Sequence, residues 1–279
     1  MDNLTIFPEF LLMDVTSSRE LQVLQGVLLL GIYLGALTGS LVTITIIVAD
    51  THLYSPMNIF ISNVDLVDLG SISVIVPRAM MNSMMGRKTI LLTECAAQIF
   101  LFILCVAVEI ALLVLMSYDH YVAICHPLHY GLIINLSLCS QAAAGSWASS
   151  LVYSAIHTGA LFRLPFTKIN AIQQYFCDIP QILRISSSDV QFCEFVLFSM
   201  HSVEARKKAI STCTPQLATL LLFLISGSVA LLGPIENKPT CKNLLTAMFY
   251  SMVPQFINPI IYCLRNREIN AALQRMFSR

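Results

Sequence analysis

VLQGVLLLGIYLGALTGSLVTITIIVA, residues 23–49, runs through about 27 residues without one charged side chain. A helix needs roughly 20 such residues to cross about 30 Å of hydrocarbon. The stretch is continuous in its apolarity rather than alternating, so it reads as a helix and not as a barrel strand. In lipid only helices and closed barrels satisfy their own backbone polar groups. The rest of the chain repeats the pattern. Asn58 to Val76 is apolar apart from Asp65 and Asp68, and Ala96 to Tyr118 is interrupted only by Glu109. Leu138 to Ile156 carries no charge, holds the single tryptophan, Trp147, and contains the small-residue run Ala142 to Ser146, which suits close helix approach in a membrane. Thr212 to Ile235 and Leu244 to Leu264 are two further uncharged blocks.

Composition agrees. Of 279 residues, 56% are hydrophobic and 11% charged, with a mean hydropathy of +0.74. Soluble domains carry roughly 25% charged residues, so much of this surface must face lipid. The formal net charge is zero, which argues against nucleic-acid binding, since that wants a strongly basic face. The first 20 residues hold Asp2, Glu9, Asp14 and Glu20 against one Arg19. That balance does not fit a cleavable signal peptide, so the first span is expected to act as an uncleaved anchor. Orientation stays open on charge alone. Arg206, Lys207, Lys208 and the arginines of the tail mark one side, but Arg87, Lys88, Arg163, Lys168, Lys238 and Lys242 lie in the opposite loops.

The stretches between and within the blocks carry a specific resemblance. Pro56-Met57-Asn58-Ile59-Phe60-Ile61-Ser62-Asn63-Val64, Met116-Ser117-Tyr118-Asp119-His120-Tyr121-Val122-Ala123-Ile124-Cys125-His126-Pro127-Leu128-His129-Tyr130, Lys208-Ala209-Ile210-Ser211-Thr212-Cys213 and Asn258-Pro259-Ile260-Ile261-Tyr262-Cys263-Leu264-Arg265-Asn266 occur in that order. Together they resemble the signature motifs of the olfactory receptors, a subfamily of rhodopsin-like G-protein-coupled receptors, over nearly the whole chain. The resemblance implies an all-α membrane protein, a seven-transmembrane helix bundle with its N-terminus outside and its C-terminus inside. The chain is then one receptor domain, 1–279, with spans at about 23–49, 57–80, 96–118, 138–158, 190–202, 211–233 and 244–264 and a tail at 265–279. It implies an odorant receptor that detects small hydrophobic or volatile molecules and signals through a heterotrimeric G protein of the olfactory, stimulatory type from the plasma membrane. No enzyme motif, cofactor site or metal site is expected. Cys125, His126 and His129 have permissive metal spacing, but no fourth ligand is evident and the family's own loop often reads the same.

The resemblance also assigns residues. A disulfide is implied between Cys95, at the start of the third block, and Cys177 in the long loop that follows the fourth. The family's further loop cysteines are replaced here by Thr167 and Ser187. Asn3-Leu4-Thr5 is a glycosylation sequon on the luminal segment, whereas the sequon at Asn135 falls in a cytoplasmic loop and is expected to be silent. The ligand pocket is expected to be lined by Phe102, Ile103, Val106 and Ala107 of the third helix, Leu224, Ser226 and Gly227 of the sixth, and Tyr250 of the seventh. Coupling and activation fall to Asp68, Asp119, His120, Tyr121, Asn258, Pro259 and Tyr262. Asp65 and Asp68 lie one turn apart on one helix face. They are expected to form a hydrated polar patch, with a shared proton as the alternative.

Two departures bear on signalling. His120 stands where the family has an arginine, a residue that is always charged and carries five donors. Only about 18 residues separate Asp189 from Lys208, so the fifth helix is reduced to about a dozen residues, or about 18 Å. That is short of the hydrocarbon core. Six spans are convincing, and a non-signalling, ER-retained receptor remnant is the alternative reading. A transporter or channel would want broken helices or inverted repeats, and neither is found.

Overall fold

A computed structural model describes residues 9–12, 19–50, 53–85, 89–163, 171–172, 176–177, 179, 182, 252, 255–261 and 266–277. The expected spans 190–202 and 211–233 and most of 244–264 lie outside the described residues, as do Asn3, Thr167, Ser187, Leu224, Ser226, Gly227, Tyr250 and Tyr262.

In chain order the elements are β1 (Glu9–Leu12), α1 (Arg19–Ala49), α2 (Pro56–Met85), β2 (Thr89–Leu91), α3 (Leu92–Cys125), a 3-10 turn at Pro127–His129, α4 (Tyr130–Ile133), α5 (Leu136–Leu161), β3 (Ala171–Ile172) and α6 (Arg267–Phe277). Residues 255–261 are also helical. The 31 residues of α1 extend about 46 Å, so the helix overshoots the apolar run that specifies it. Both α2 and α3 likewise extend beyond their expected spans, because a helix continues into the interface until a stop signal ends it. For α3 that stop is His126, followed by Pro127.

Among the described residues three helices are long and apolar enough to cross a membrane: Gln22–Ala49, Pro56–Met84 and Leu92–Cys125. The 26 residues of α5 are long enough, but the helix is rich in serine. Ser146, Ser150 and Ser154 are buried, and Ser154 Oγ donates to the Phe100 carbonyl of α3 at 2.5 Å. Ser154 thus spends its hydroxyl on helix–helix contact, whereas Ser146 bonds back to the Ala142 carbonyl of its own helix.

The helices pack in sequence, α1 on α2, α2 on α3 and α3 on α5. Leu24, Val27, Leu28, Leu34, Leu41 and Val48 of α1 stay exposed on its outer side, as a lipid-facing surface requires. Hydroxyls inside the helices bond back to the preceding turn. Thr43 donates to the Gly39 carbonyl at 3.0 Å and Ser117 to that of Leu113 at 2.8 Å, so neither carries an unmet donor. Gly35 permits the approach of residues 255–261: a Cβ there would lie 2.8 Å from the Phe256 ring.

One end of the bundle is covered by a three-stranded sheet of order β2-β1-β3. Antiparallel pairing sets Phe10 against Ile90 and Leu11 against Thr89. Parallel pairing sets Leu11 against Ala171 and Leu12 against Ile172. At the opposite end Asn58 donates to the Leu53 carbonyl at 2.8 Å and accepts from Asn266 at 2.8 Å. Asn266 Oδ1 in turn accepts from the backbone of Glu268 and Ile269 and caps α6. The ion pair Arg275–Asp50, 3.1 Å, fastens α6 to the end of α1.

Candidate functional site

The capped end is held by a disulfide between Cys95 and Cys177, with Cα atoms 5.5 Å apart. Gln98, one turn along α3, secures the same loop. Its Oε1 accepts from the Cys177 backbone at 3.1 Å and its Nε2 donates to the Val74 carbonyl of α2 at 3.0 Å. Beneath this staple the expected pocket residues of α3 divide between two apolar clusters. Phe102 and Val106, four residues apart on one face, are buried with Phe176, Met252 and residues of α1 and α2. Ile103 packs against a second cluster formed by Phe10, Leu12, Ile90, Cys95, Ile99, Leu161, Ile172, Cys177 and Ile182. Ala107 is half-buried. Sequence reasoning missed Met252 and also Phe176, the residue beside the disulfide cysteine. For Phe176 the available signal was its neighbour Cys177.

The middle of the bundle holds carboxylates. Asn258 Nδ2 donates to Asp68 Oδ2 at 3.1 Å and to Glu109 Oε1 at 3.2 Å. An amide has two N–H donors, so one asparagine serves both acids. Next to it Gln255 Nε2 donates to Ser71 Oγ at 3.2 Å. Ser40, which stands where the family's partner asparagine is expected, is buried, and Asp68 takes its bond from Asn258 instead. Pro259 lies against Gly39, where an added Cβ would approach its ring to 3.3 Å. Among the described residues no cation forms an ion pair with Asp65, Asp68 or Glu109.

Asp65 and Asp68 do not share a partner. Asp65 is wholly buried, and among the described residues neither of its carboxylate oxygens has a hydrogen-bond partner. A proton shared with Asp68 would require a bond between the two carboxyls, and none forms. The physical reason is that Asp68 is turned to Asn258. A carboxylate inside a membrane bundle is costly. A serine at 65 could donate to the Ile61 carbonyl, as Ser146 does to Ala142 at 3.0 Å. Asp65→Ser should therefore raise the melting temperature of the detergent-solubilised protein by a few degrees, at about 2–4 °C per kcal/mol. A fall would mean that Asp65 is needed where it stands.

The uncapped end presents the second group of assigned residues. Asp119 is buried and accepts from the Tyr130 hydroxyl at 2.8 Å. Burial, and then the bond to Asp119, push the Tyr130 phenol pKa up, so it stays neutral and remains a donor. His120 Nδ1 meets the Met116 carbonyl at 2.9 Å. A carbonyl only accepts, so Nδ1 carries the proton and the ring folds back along α3. Tyr121 is exposed and meets the His126 ring edge-on at 6.0 Å. Ile124, Leu128 and Leu132 are exposed too, Leu128 92% and Leu132 81%. Asn135 caps α5 by accepting from the Leu138 backbone at 2.8 Å, a structural use of the residue in the second sequon. Tyr130 was within reach of sequence reasoning as the last residue of its motif, but its pairing with Asp119 was not.

Comparison with known proteins extends this picture. The family described as 7 transmembrane receptor (rhodopsin family) matches residues 39–203, and the family described as Olfactory receptor matches residues 193–279. The chain is 41% identical to olfactory receptor 14I1 of Homo sapiens over 303 positions, covering 99% of this chain and 97% of that protein. It is 37% identical to olfactory receptor 14L1 of Homo sapiens, covering 98% and 92%, and 36% identical to olfactory receptor 14C36 of Homo sapiens, covering 100% and 98%. This chain can fill no more than 279 of the 303 positions matched to 14I1, so at least 24 residues of that relative face a gap here.

Proposed function

The chain belongs to the olfactory receptors, within the rhodopsin-like seven-transmembrane family, and on that premise we propose how its parts divide the work. It is an odorant receptor and not an enzyme: a multi-pass membrane protein that detects small hydrophobic molecules and couples to a G protein. The odorant binds beneath the disulfide-stapled cap, against Phe102, Ile103, Val106 and Ala107 of α3, with Leu224, Ser226, Gly227 and Tyr250 completing the wall. The observation that carries this reading is the apolar cluster of Phe102, Val106, Phe176 and Met252. It sits between a fixed cap and the Asp68–Asn258–Glu109 centre, as a small-molecule site of mostly apolar lining would.

The signal leaves at the other end. Exposed Leu128 and Leu132, with Tyr121 and the Asp119–Tyr130 pair, form the face offered to the G protein, taken to be of the stimulatory type. A water-exposed apolar loop beside a buried polar pair is what a transient partner would cover. The capped end and Asn3 face outward, and the working location is the plasma membrane. Binding shifts a balance between two bundle arrangements by whatever affinity difference the odorant has for them. The gap against 14I1 is of the size that a shortened fifth helix between Asp189 and Lys208 would leave, and such a helix would thin one wall of the pocket. Similarity over nearly the full length of intact relatives favours a receptor over a remnant.

A cAMP reporter with an odorant panel tests the assignment. Leu224→Tyr adds a hydroxyl to the lining. It should move sensitivity towards hydroxyl-bearing odorants by about tenfold, the equivalent of one net hydrogen bond of about 1 kcal/mol or slightly more. An unchanged ranking of the panel would remove Leu224 from the pocket.

A further inference from the structure

The three strands over the capped end are not held alike. Thr89–Leu91 of β2 runs directly into α3, whose first residue is Leu92. The loop carrying β3 is fixed to α3 by the Cys95–Cys177 bond and by Gln98. By contrast β1, only four residues long, is the central strand, and every tie it makes to the cap is non-covalent. Yet it supplies the plug. Phe10 is 1% and Leu12 3% exposed, whereas Leu11 between them is 42% exposed, the alternation of a strand with one face turned inward. The inward pair fills a cluster with Ile99, Cys95 and Cys177, and Ile103 of the proposed pocket packs against that same cluster. Removing Phe10 and Leu12 would open the cap above Ile103 while β2, β3 and the staple kept their anchors.

We infer that β1 is a displaceable lid of the ligand pocket, with Phe10 as the side chain that seals it, so that small molecules reach α3 only when this strand lifts. The inference rests on the pocket reading above. Of the three strands β1 alone is tied neither to the disulfide nor directly to α3, so it is the one that can lift as a local opening while the bundle stays folded. Nothing comparable frees β2 or the disulfide-tied loop.

The test reads access directly, by the rate at which N-ethylmaleimide modifies a reporter Ile103→Cys in cell membranes, followed site by site by mass spectrometry. Phe10→Ala should speed modification of the reporter at least fivefold. The buried native thiols Cys105 and Cys139 should keep their slow rates. A bridge across the register pair Leu11↔Thr89, made with Leu11→Cys and Thr89→Cys, should slow the reporter at least fivefold. Facing residues of an antiparallel pair have Cα atoms about 4.5–5.5 Å apart, within disulfide range. If Phe10→Ala fails to reach the membrane, the bridged variant decides alone. Equal reporter rates with and without the bridge overturn the lid. So does a Phe10→Ala variant in which Cys105 and Cys139 react together with the reporter, because Phe10 would then be holding the bundle rather than the entrance. The pocket reading fails differently: the reporter would follow the lid, but no odorant active in the cAMP screen would slow its modification.

Discussion

Replacing His120 by arginine should raise odorant-evoked cAMP about tenfold at sub-saturating odorant, with surface level matched. His120 lies at the end of α3 next to Asp119, with its Nδ1 turned back on the Met116 carbonyl at 2.9 Å. A histidine is shorter than an arginine and only partly charged near neutral pH. An arginine is charged throughout and offers five donors in a planar fork. One added hydrogen bond to a charged group contributes about 1.5–3 kcal/mol, and about 1.4 kcal/mol is tenfold in an equilibrium. Tyr130 already holds Asp119 from the loop side at 2.8 Å, so the added donors are left to meet the G protein, and a bond made only in the coupled state raises coupling. A concentration–response curve in a cAMP reporter line measures the change. Identical curves for parent and His120→Arg would show that the exposed apolar loop, and not position 120, sets coupling strength.

The second large effect is expected at Asn258. Its amide bonds both Asp68 and Glu109, two acids from different helices. Asn258→Ala strips both at once. Each lost bond to a buried acid costs about 1–3 kcal/mol, so the folded receptor should melt at least about 5 °C lower at about 2–4 °C per kcal/mol. Response to odorant should fall with it, because α2, α3 and residues 255–261 lose their shared tie. Adding Glu109→Gln should return part of the lost stability. The two sites share a partner, so their effects cannot be additive. Thermal unfolding in detergent checks both statements, and an Asn258→Ala variant as stable as the parent would show that the acids find other partners.

How far these features were legible in the sequence varies by kind. The uncharged run 23–49 was enough for α1, because a membrane leaves a helix few alternatives. Asp65, Asp68 and Glu109 announced a polar centre, since acids inside apolar blocks are costly wherever they face lipid. Their partner did not announce itself. Asn258 lies 190 residues from Asp68 and 149 from Glu109, and only tertiary packing decides that it meets both. The solitary state of Asp65 was hidden for the same reason: one helix turn suggests two acids side by side, but their surroundings differ. Nothing in Glu9-Phe10-Leu11-Leu12 reads as a strand. Four residues are too few for a period, and strand preference is set by neighbours, here Thr89–Leu91 and Ala171–Ile172. The pocket was legible only in part. Phe102 and Val106 fall on one α3 face by simple periodicity, whereas the separation of Ile103 into the cap cluster depends on β1, a strand that only its pairing partners define.

A receptor working as proposed has the capped end of its bundle outside and the Asp119–Tyr130 face inside, across seven spans that include the short segment 190–202. Epitope tags at the two termini, stained in intact and in permeabilised cells, test this directly. The expected result is an N-terminal tag that is visible on intact cells and a C-terminal tag visible only after permeabilisation. Both tags on one side of the membrane would contradict it, because the lid and the coupling face could not then serve opposite compartments.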